Sequence, residues 1–392
     1  MLDSDGFYGK RLQPMDLPPL LGLPGILRLP AGALPALIQA THAEPDVAQM
    51  CMQMFYVLMA LGQHSLAVDM QSRALQHRRV YRMRGPAKPA LRLLAIMGPG
   101  DMMDNTPIEF LIDNSDVQLD IVYLLLDNDI PTAIPDHDVA IVAIGESDKN
   151  APLLLQLTKI LESWPRPVLN HPHQIMRCAR DVAYGLLHDT PGLRMPYTQR
   201  LPADKIHPNA FPITIRPVDT HAGRGLEKID ALPELAAYFE RFSGSEYFVA
   251  EFIDYKSPDG FFKKLRIALL AGRPYVCHVA LSDHWMVHYL SAHMETCADK
   301  RAQEAALMAN FDHGFARRHG AALSSIAERM GLDYVVLDCA ELPDGRLLVF
   351  EVDSRAFIHA TDSTEVFPYK GPVMQKAFDA FRALLADKAI SC

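Results

Sequence analysis

The chain has 392 residues, of which 49% are hydrophobic and 22% charged, with a formal net charge of −9. That length predicts two or three domains with sizeable cores, and the composition is that of a soluble globular protein. The negative balance, with no dense Lys/Arg stripe, excludes a general nucleic-acid binder, and no apolar run reaches the ~18 residues of a membrane span.

Residues 1–16 show no basic stretch followed by an apolar one, so no signal peptide is expected. The 6 cysteines are scattered without CxxC spacing, which fits a reducing cytoplasm better than a disulfide framework. Residues 1 to about 35 are rich in Pro and Gly (LPPLLGLPGILRLPAGALP) and read as an extended surface arm. Two helices follow, VAQMCMQMFYVLMALG and SLAVDMQSRALQHRR, broken at Gly62-Gln63-His64. Gly62, Ala67, Ala74 and Leu75 match the small-residue positions of a tetratricopeptide unit. Only one unit is present, whereas a solenoid needs about three. A helical hairpin packed on the main body and a protein-docking repeat therefore both stay open. Met50, Met52, Met54 and Met59 suit core or interface filling. The run HRRVYRMR (77–84) reads as a helix end passing into a linker. Residues 1–90 are thus expected to form an arm and helical appendage, closed by the linker Gly85–Pro89.

Over 91–175 the pattern is α/β. Strands are predicted at Leu91–Met97, Val117–Leu126, Val139–Ile144 and Pro167–Asn170. Helices are predicted to begin at Pro107–Ile112 and to span Ala151–Trp164. This alternation implies a mostly parallel sheet covered on both faces. The loop MGPGDMMDNTP after the first strand matches neither GxGxxG nor GxxxxGK[ST]. His171–Leu187 has helical periodicity. Residues 176–255 then read as α+β: a strand at Pro212–Pro217, a polar glycine loop at Asp219–Gly225, a helix at Leu232–Phe242 and a strand at Tyr247–Ile253. In 256–392, Phe262–Ala271 and Pro274–Leu281 form a hairpin around Gly272-Arg273. Helices are expected at Lys300–His319, Ala321–Met330 and Pro372–Asp387.

The most informative stretch is Tyr334–Arg355, YVVLDCAELPDGRLLVFEVDSR. Asp-Gly between β-rich runs predicts a two-residue type I′ hairpin turn. Pro343 would then pair with Arg346, and Asp338 would lie opposite Glu351. Period-2 alternation puts Asp353 on the same face, and Val335, Leu337, Cys339, Leu348, Phe350 and Val352 on the other. Three carboxylates on one face, with no Lys or Arg of the hairpin between them, call for a cation. All-oxygen ligation suits Mg²⁺, while a solvated hairpin with chance acidic residues is the bland alternative. Mutual repulsion predicts that Glu351→Gln leaves the metal-free protein no less stable. The segment SDHWMVHYLSAH, with Ser282, His284, Trp285, His288 and His293, is rich enough in polar and aromatic groups to suggest a small-molecule pocket. A Zn²⁺ site on His284 and His288 is a weaker option, because the Glu of HExxH is missing.

Five motifs in order, RDVAYGLL, PITIRPVDTHAGRG, FVAEFIDY, KKLRIALLAGRPY and GLDYVVLDCAELPDGRLLVFEVDSR, resemble the ATP-grasp superfamily, nearest to its glutamate-ligase-like and D-alanine–D-alanine-ligase-like branches. The resemblance covers roughly Leu91 to Leu385. It implies an α/β domain over 91–175, a lid subdomain over 176–255 and a C-terminal subdomain over 256–392, with ATP between the last two. It implies Asp338, Glu351 and Asp353 as ligands of Mg²⁺, with Mn²⁺ as a substitute; the usual third ligand is Asn. Glu251, Phe252, Ile253 and Asp254 resemble the hinge that meets adenine and ribose. Arg266 and Arg216 resemble phosphate-binding cations, although Arg216 stands where Lys is usual. The loop with Asp219, Gly223 and Gly225 resembles the flexible one that closes over phosphates. Val182 stands where another Lys is usual, leaving Arg177 and Arg180 as nearby substitutes.

The reaction implied is ATP-dependent activation of a carboxylate as an acyl phosphate for attack by an amine. A catalytically weak ATP-binding module that recruits partners through the helical N-terminus, and a small-molecule kinase, are the alternatives. The implied partners are small-molecule or peptide substrates, with no nucleic acid, no membrane and a homodimer as the oligomer to test.

Overall fold

The computed structural model describes residues 12–126, 130–220 and 223–390. The expectation about the chain start, and His221-Ala222 of the glycine loop, lie outside the described residues. The chain forms two compact units. Unit 1 comprises Met1–Met176, Ser354–Ser363 and Phe378–Cys392, and unit 2 comprises Arg177–Asp353 and Thr364–Ala377. Each mixes helix and sheet, as the α/β and α+β reading expects.

In unit 1, β1 (Leu12–Gln13) pairs in parallel with β6 (Ile134–Pro135). The main sheet has six strands in the order β2-β3-β5-β4-β7-β8. They are Pro19–Leu20 (β2), Val80–Met83 (β3), Leu91–Met97 (β4), Val117–Tyr123 (β5), Val139–Val142 (β7) and Val168–Leu169 (β8). The central strands β4, β5 and β7 are parallel. Their apolar runs are buried on both faces (Leu94, Ile96, Val122 and Ile141 among them), which parallel strands covered by helices require. Around them the chain forms α1 (Leu23–Leu27), α2 (Ala33–His42), α3 (Val47–Ala60), α4 (His64–His77), α5 (Ile108–Leu111), α6 (Ala151–Leu161) and α7 (Pro172–Ile175).

Three expectations are corrected here. The first 90 residues are not a separate appendage, because β2 and β3 belong to the main sheet. The arm is not irregular, since it holds α1 and α2. The run HRRVYRMR is not a linker, because Val80–Met83 pairs antiparallel with β5. The reason is pairing that composition hides. Arg82 stands opposite Asp120 and grips its buried carboxylate with Nε–Oδ1 at 2.7 Å and Nη2–Oδ2 at 2.8 Å. Arg78 likewise meets Asp46, the residue that caps α3 by accepting from Gln49 N–H.

Unit 2 begins with α8 (Arg180–Leu187). The single helix expected over His171–Leu187 is broken by a 3₁₀ turn at Met176–Cys178 and by Ala179, whose ψ is 134°. A four-stranded antiparallel sheet runs β10-β13-β11-β12, from Thr198–Pro202 (β10), Ile213–Pro217 (β11), Glu227–Ile229 (β12) and Glu246–Glu251 (β13). Helix α9 (Leu232–Arg241) covers it through Leu235 and Tyr238, which share a core with Ile213, Ile215 and Tyr247. The second sheet has five strands in the order β15-β14-β16-β17-β9. These are Leu193–Arg194 (β9), Phe262–Leu270 (β14), Arg273–Ser282 (β15), Tyr334–Glu341 (β16) and Leu347–Asp353 (β17). Between β15 and β16 lie α10 (Ala298–Ala309), α11 (Phe315–Arg318) and α12 (Gly320–Met330), so the helix expected over Lys300–His319 is two helices. The closing helix α13 spans Lys370–Ile390.

Because β3 covers one edge of β5, deleting residues 1–84 should abolish the cooperative unfolding of unit 1, read by thermal melts followed by circular dichroism. An unchanged transition would show the N-terminal strands to be dispensable. Leu337 of β16 is fully buried, so Leu337→Ala should cost about 2–5 kcal/mol in urea denaturation.

Candidate active site

Strand pairing across the second sheet of unit 2 sets up the site. His278 of β15 is opposite Arg266 of β14, Arg266 is opposite Asp338 of β16, and Asp338 is opposite Glu351 of β17. Directly opposed residues share a face of the sheet, so these four side chains form one transverse row. Register shifts adjoin the row on both sides, between Arg266 and Ile267 and between Asp338 and Cys339. Such bulges re-aim side chains and are over-represented beside active sites.

The predicted opposition of Asp338 and Glu351 is present, but the chain reaches it by another route. Gly345 N–H donates to Leu342 O and Leu342 N–H to Arg346 O, each at 2.9 Å, and Gly345 has φ 85°. The loop is therefore Pro343-Asp344-Gly345, three residues and not two, closed by a left-handed glycine. Pro343 has no N–H for a strand pair, and its fixed φ suits the turn. The longer loop shifts pairing by one, so that Ala340 meets Leu348 and Cys339 meets Val349. A bulge at Phe350, left unpaired between Val349 and Glu351, shifts it back. Phe350 consequently leaves the expected continuous apolar face and packs its ring on Tyr255, with centroids 4.9 Å apart.

The acidic face is not without cations, contrary to expectation, because the neighbouring strand and helix supply them. Asp338 is 7% exposed. Arg266 grips it through Nε–Oδ1 at 2.8 Å and Nη2–Oδ2 at 3.0 Å, and Lys264 Nζ lies 3.0 Å from Oδ2. Burial alone would raise this carboxyl, but Arg266 and Lys264 outweigh it and hold Asp338 well below the usual range. Glu351 pairs with Arg180 at 2.7 Å. Burial and the adjoining Asp338 push Glu351 up, yet Arg180 and Arg216 bring it down to about 2. Lys264, Arg266, Arg180 and Arg216 thus all act on one carboxylate pair. Asp353 is buried and stands opposite Val336, further along β17.

Two of these cations answer questions the sequence leaves open. Val182 is 43% exposed and supplies no charge. Arg180, in the first turn of α8, instead brings a guanidinium to Glu351. Arg177 does not, because its guanidinium donates to the carbonyls of Arg329 and Met330 at the end of α12. Lys264 was missed. Its signal lies in the alternation of FKKLR, which puts Lys264 and Arg266 on one face of β14.

In the four-stranded sheet, Arg216 is buried and its Nε donates to Thr220 Oγ1 at 3.1 Å. The adjoining loop turns through left-handed residues at Asp219 (φ 58°), Gly223 (φ 75°) and Gly225 (φ 67°). A Cβ at Gly225 would approach Pro217 Cδ to 2.8 Å, so both space and conformation require glycine there. Tyr238 O–H donates to Gly225 O at 2.7 Å and anchors that end of the loop.

At the expected hinge, Glu251 N–H donates to Tyr197 O and Phe252 N–H to Pro212 O. The Glu251 carboxylate accepts from Arg194 at 2.5 Å and from Tyr197 N–H at 2.9 Å. Those two backbone N–H groups are therefore engaged within the protein, and Ile253 and Asp254 follow where β13 ends. Phe252 meets Trp285 edge to face at 5.6 Å, and Lys228 Nζ lies 4.9 Å from its ring centroid.

The histidine-rich segment does not converge on one pocket. Trp285 joins the hinge, while His288 sits where burial, Lys264 and Arg266 lower its pKa. Ser282 Oγ accepts from His284 N–H, and His284 Nδ1 accepts from Met286 N–H. His293 is exposed. The segment from Asp283 to His288 is not helical, so the four-residue spacing of His284 and His288 does not bring them to one face as a Zn²⁺ site needs.

Among the described residues no group of three or more His, Cys, Asp or Glu side chains is gathered to hold a metal ion. The three-carboxylate cluster of Asp338, Glu351 and Asp353 is thus not assembled. The apposed pair Asp338 and Glu351 does fit Mg²⁺, which takes one or two carboxylates and completes its shell with water and phosphate oxygens.

No family model matches this sequence, and no curated protein does. The chain is similar to ATP-grasp ligases of known structure. The D-alanine–D-alanine ligase from Bacillus anthracis, complexed with ATP, has 14% identity and a TM-score of 0.46 over 77% of this chain and 98% of that one. The D-alanyl-alanine synthetase A from Vibrio cholerae has 11% identity and a TM-score of 0.48 over 77% and 99%. A RimK domain ATP-grasp protein from Sphaerobacter thermophilus has 15% identity and a TM-score of 0.44 over 76% and 100%.

The electrostatics reverse the stability expected of Glu351→Gln. Its folded pKa of about 2 lies below the ordinary 4.5. The pair's contribution is therefore fully present above pH about 4.5 and lost as pH falls through about 2. Glu351→Gln should cost up to about 3 kcal/mol at neutral pH in chelator-treated protein and flatten the stability profile over that acid window. Urea denaturation from pH 2 to 7 checks this; a variant as stable as wild type at pH 7 would show that carboxylate repulsion governs instead.

Proposed function

We propose that this face of unit 2 binds the phosphates of ATP and passes the terminal phosphoryl group to a carboxylate, which an amine then attacks. The protein is on this reading an ATP-dependent carboxylate–amine ligase acting on a small molecule or peptide. The row of His278, Arg266, Asp338 and Glu351, joined by Lys264, Arg180 and Arg216, carries the proposal. Phosphoryl transfer asks a protein mainly for positioned positive charge around the transferring oxygens. Guanidinium forks match phosphate oxygens as they match carboxylates. Asp338 and Glu351 therefore hold Arg266 and Arg180 in the orientation that phosphate needs. Mg²⁺ held by Asp338 and Glu351 would neutralise phosphate oxygens. The order of the five motifs supports the same assignment, with residues 176–255 as the lid and 256–392 as the metal-bearing subdomain.

Arg180 weighs against a catalytically weak module, since the charge missing at Val182 is supplied two positions earlier. The test is to incubate the protein with Mg·ATP, a panel of pooled carboxylates and hydroxylamine, and to assay hydroxamate and ADP together. Stoichiometric formation of both is expected. Arg266→Lys keeps a charge for Asp338 but loses the fork, and should lower the rate ~10²-fold or more. ADP with a stable phosphorylated product and no hydroxamate would instead identify a kinase; nucleotide binding with no turnover would identify a binding module.

A further inference from the structure

We propose that unit 2 carries a second anion site, apart from the charged row, which takes a small organic phosphate. It is a cleft of about 370 Å³ at the start of β15, lined by Arg273 and Tyr275 of that strand, Arg317 of α11 and Ser324 of α12. No residue of the row lines it, and the proposal does not depend on the ligase reading.

Turn and period bring these groups together. Ala271 and Gly272, with φ 47° and 77°, make the two-residue turn between β14 and β15, and a turn of that kind starts the return strand at once. Arg273 is therefore its first residue, opposite Leu270, and Tyr275, opposite Ala268, shares its face. Helix α12 lies beside the turn, since a Cβ at Gly272 would stand 3.7 Å from that of Ala327. Its cleft residues Gly320, Leu323 and Ser324 are spaced by three and four and so share one face. Further along β15, α10 provides the cover. Its Glu304 is fully buried, and the carboxylate accepts from Val279 N–H at 2.9 Å, Tyr289 O–H at 2.9 Å and Tyr369 O–H at 2.7 Å, a closed polar cluster. No residue of α10 lines the cleft, which α11 and α12 border instead.

Charge in the cleft is one-sided. Its acid, Asp312, is paired with Lys376 at 3.0 Å. Arg318, next to Arg317, is paired with Glu341. Arg273 and Arg317 make no ion pair or side-chain hydrogen bond among the described residues, and neither do the hydroxyls of Tyr275 and Ser324. Two uncompensated guanidinium groups repel each other, and a dianion relieves that repulsion. Each fork can meet two oxygens of a phosphate, and the two hydroxyls supply further donors. Helix α12 starts at Gly320 with no side-chain cap, and such a start also favours negative charge. Pro274 and Leu323 add an apolar part, which an organic group on the phosphate would cover. A cleft of about 370 Å³ lies at the small end of small-molecule sites, roughly 300–1,000 Å³.

The test titrates phenyl phosphate into the full-length, metal-free protein at low ionic strength, followed by calorimetry. Saturable binding is expected, weakened about tenfold or more in the Arg273→Gln/Arg317→Gln double variant. Arg180→Gln, which removes a charge of the row, should leave it within about twofold of wild type. Inorganic phosphate should bind more weakly than the ester, and raising the salt to about 0.3 M should weaken both. Arg273 and Arg317 are exposed, so the double variant should melt with the wild type. A folded double variant that binds as wild type does would overturn the proposal, as would a loss confined to Arg180→Gln. Succinate binding more tightly than phenyl phosphate would overturn the choice of a phosphate. A wild-type protein with no saturable binding of phenyl phosphate would overturn the site itself.

Discussion

The site depends on the fork that Arg266 of β14 makes with Asp338 of β16. Asp338 is nearly inaccessible, and a carboxylate in that position stays ionised only while paired. Breaking a buried pair by removing one member typically costs about 3–5 kcal/mol, although the intact pair adds little net stability. What the pair fixes is geometry. The guanidinium cannot turn away without stranding the charge behind it, so its orientation is set by the fold itself. The register of β14 and β16 is fixed with it, since a slip of one residue would put Arg266 and Asp338 on opposite faces.

Around this fork the sheet departs from regularity twice, once on each side of the row. Bulges bend and twist a strand locally, which lets long side chains from β14, β16, β17 and α8 meet over one patch. Placing them beside the charged face leaves Leu337 and Val352 of the opposite face buried. Apolar packing and paired charge are in this way assigned to opposite sides of the same strands.

Much of this arrangement is legible in the sequence. The central strands of unit 1 are continuous apolar runs, and the Asp-Gly turn marks the hairpin of β16 and β17. The turn alone predicts that Asp338 lies opposite Glu351, and the two do pair, through two compensating shifts of register. What was not legible depends on partners distant in sequence. Lys264 and Arg180 neutralise Asp338 and Glu351 from about 74 and 170 residues away, and no local pattern announces that. Arg82 reads as part of a basic helix end until Asp120 is set opposite it. The N-terminal strands β2 and β3 are too short to show a period and are recruited only by the sheet they join.

The bond from Val279 N–H to Glu304 has a consequence for how the molecule behaves among its copies. β15 is the edge of its sheet and, at ten residues, long enough to template another strand. Open edges of that kind invite pairing between chains and aggregation. Here a side-chain carboxylate occupies one backbone amide of that strand, and the helix that bears it packs against the strand. The same glutamate that steadies the polar cluster thus closes the sheet against strangers.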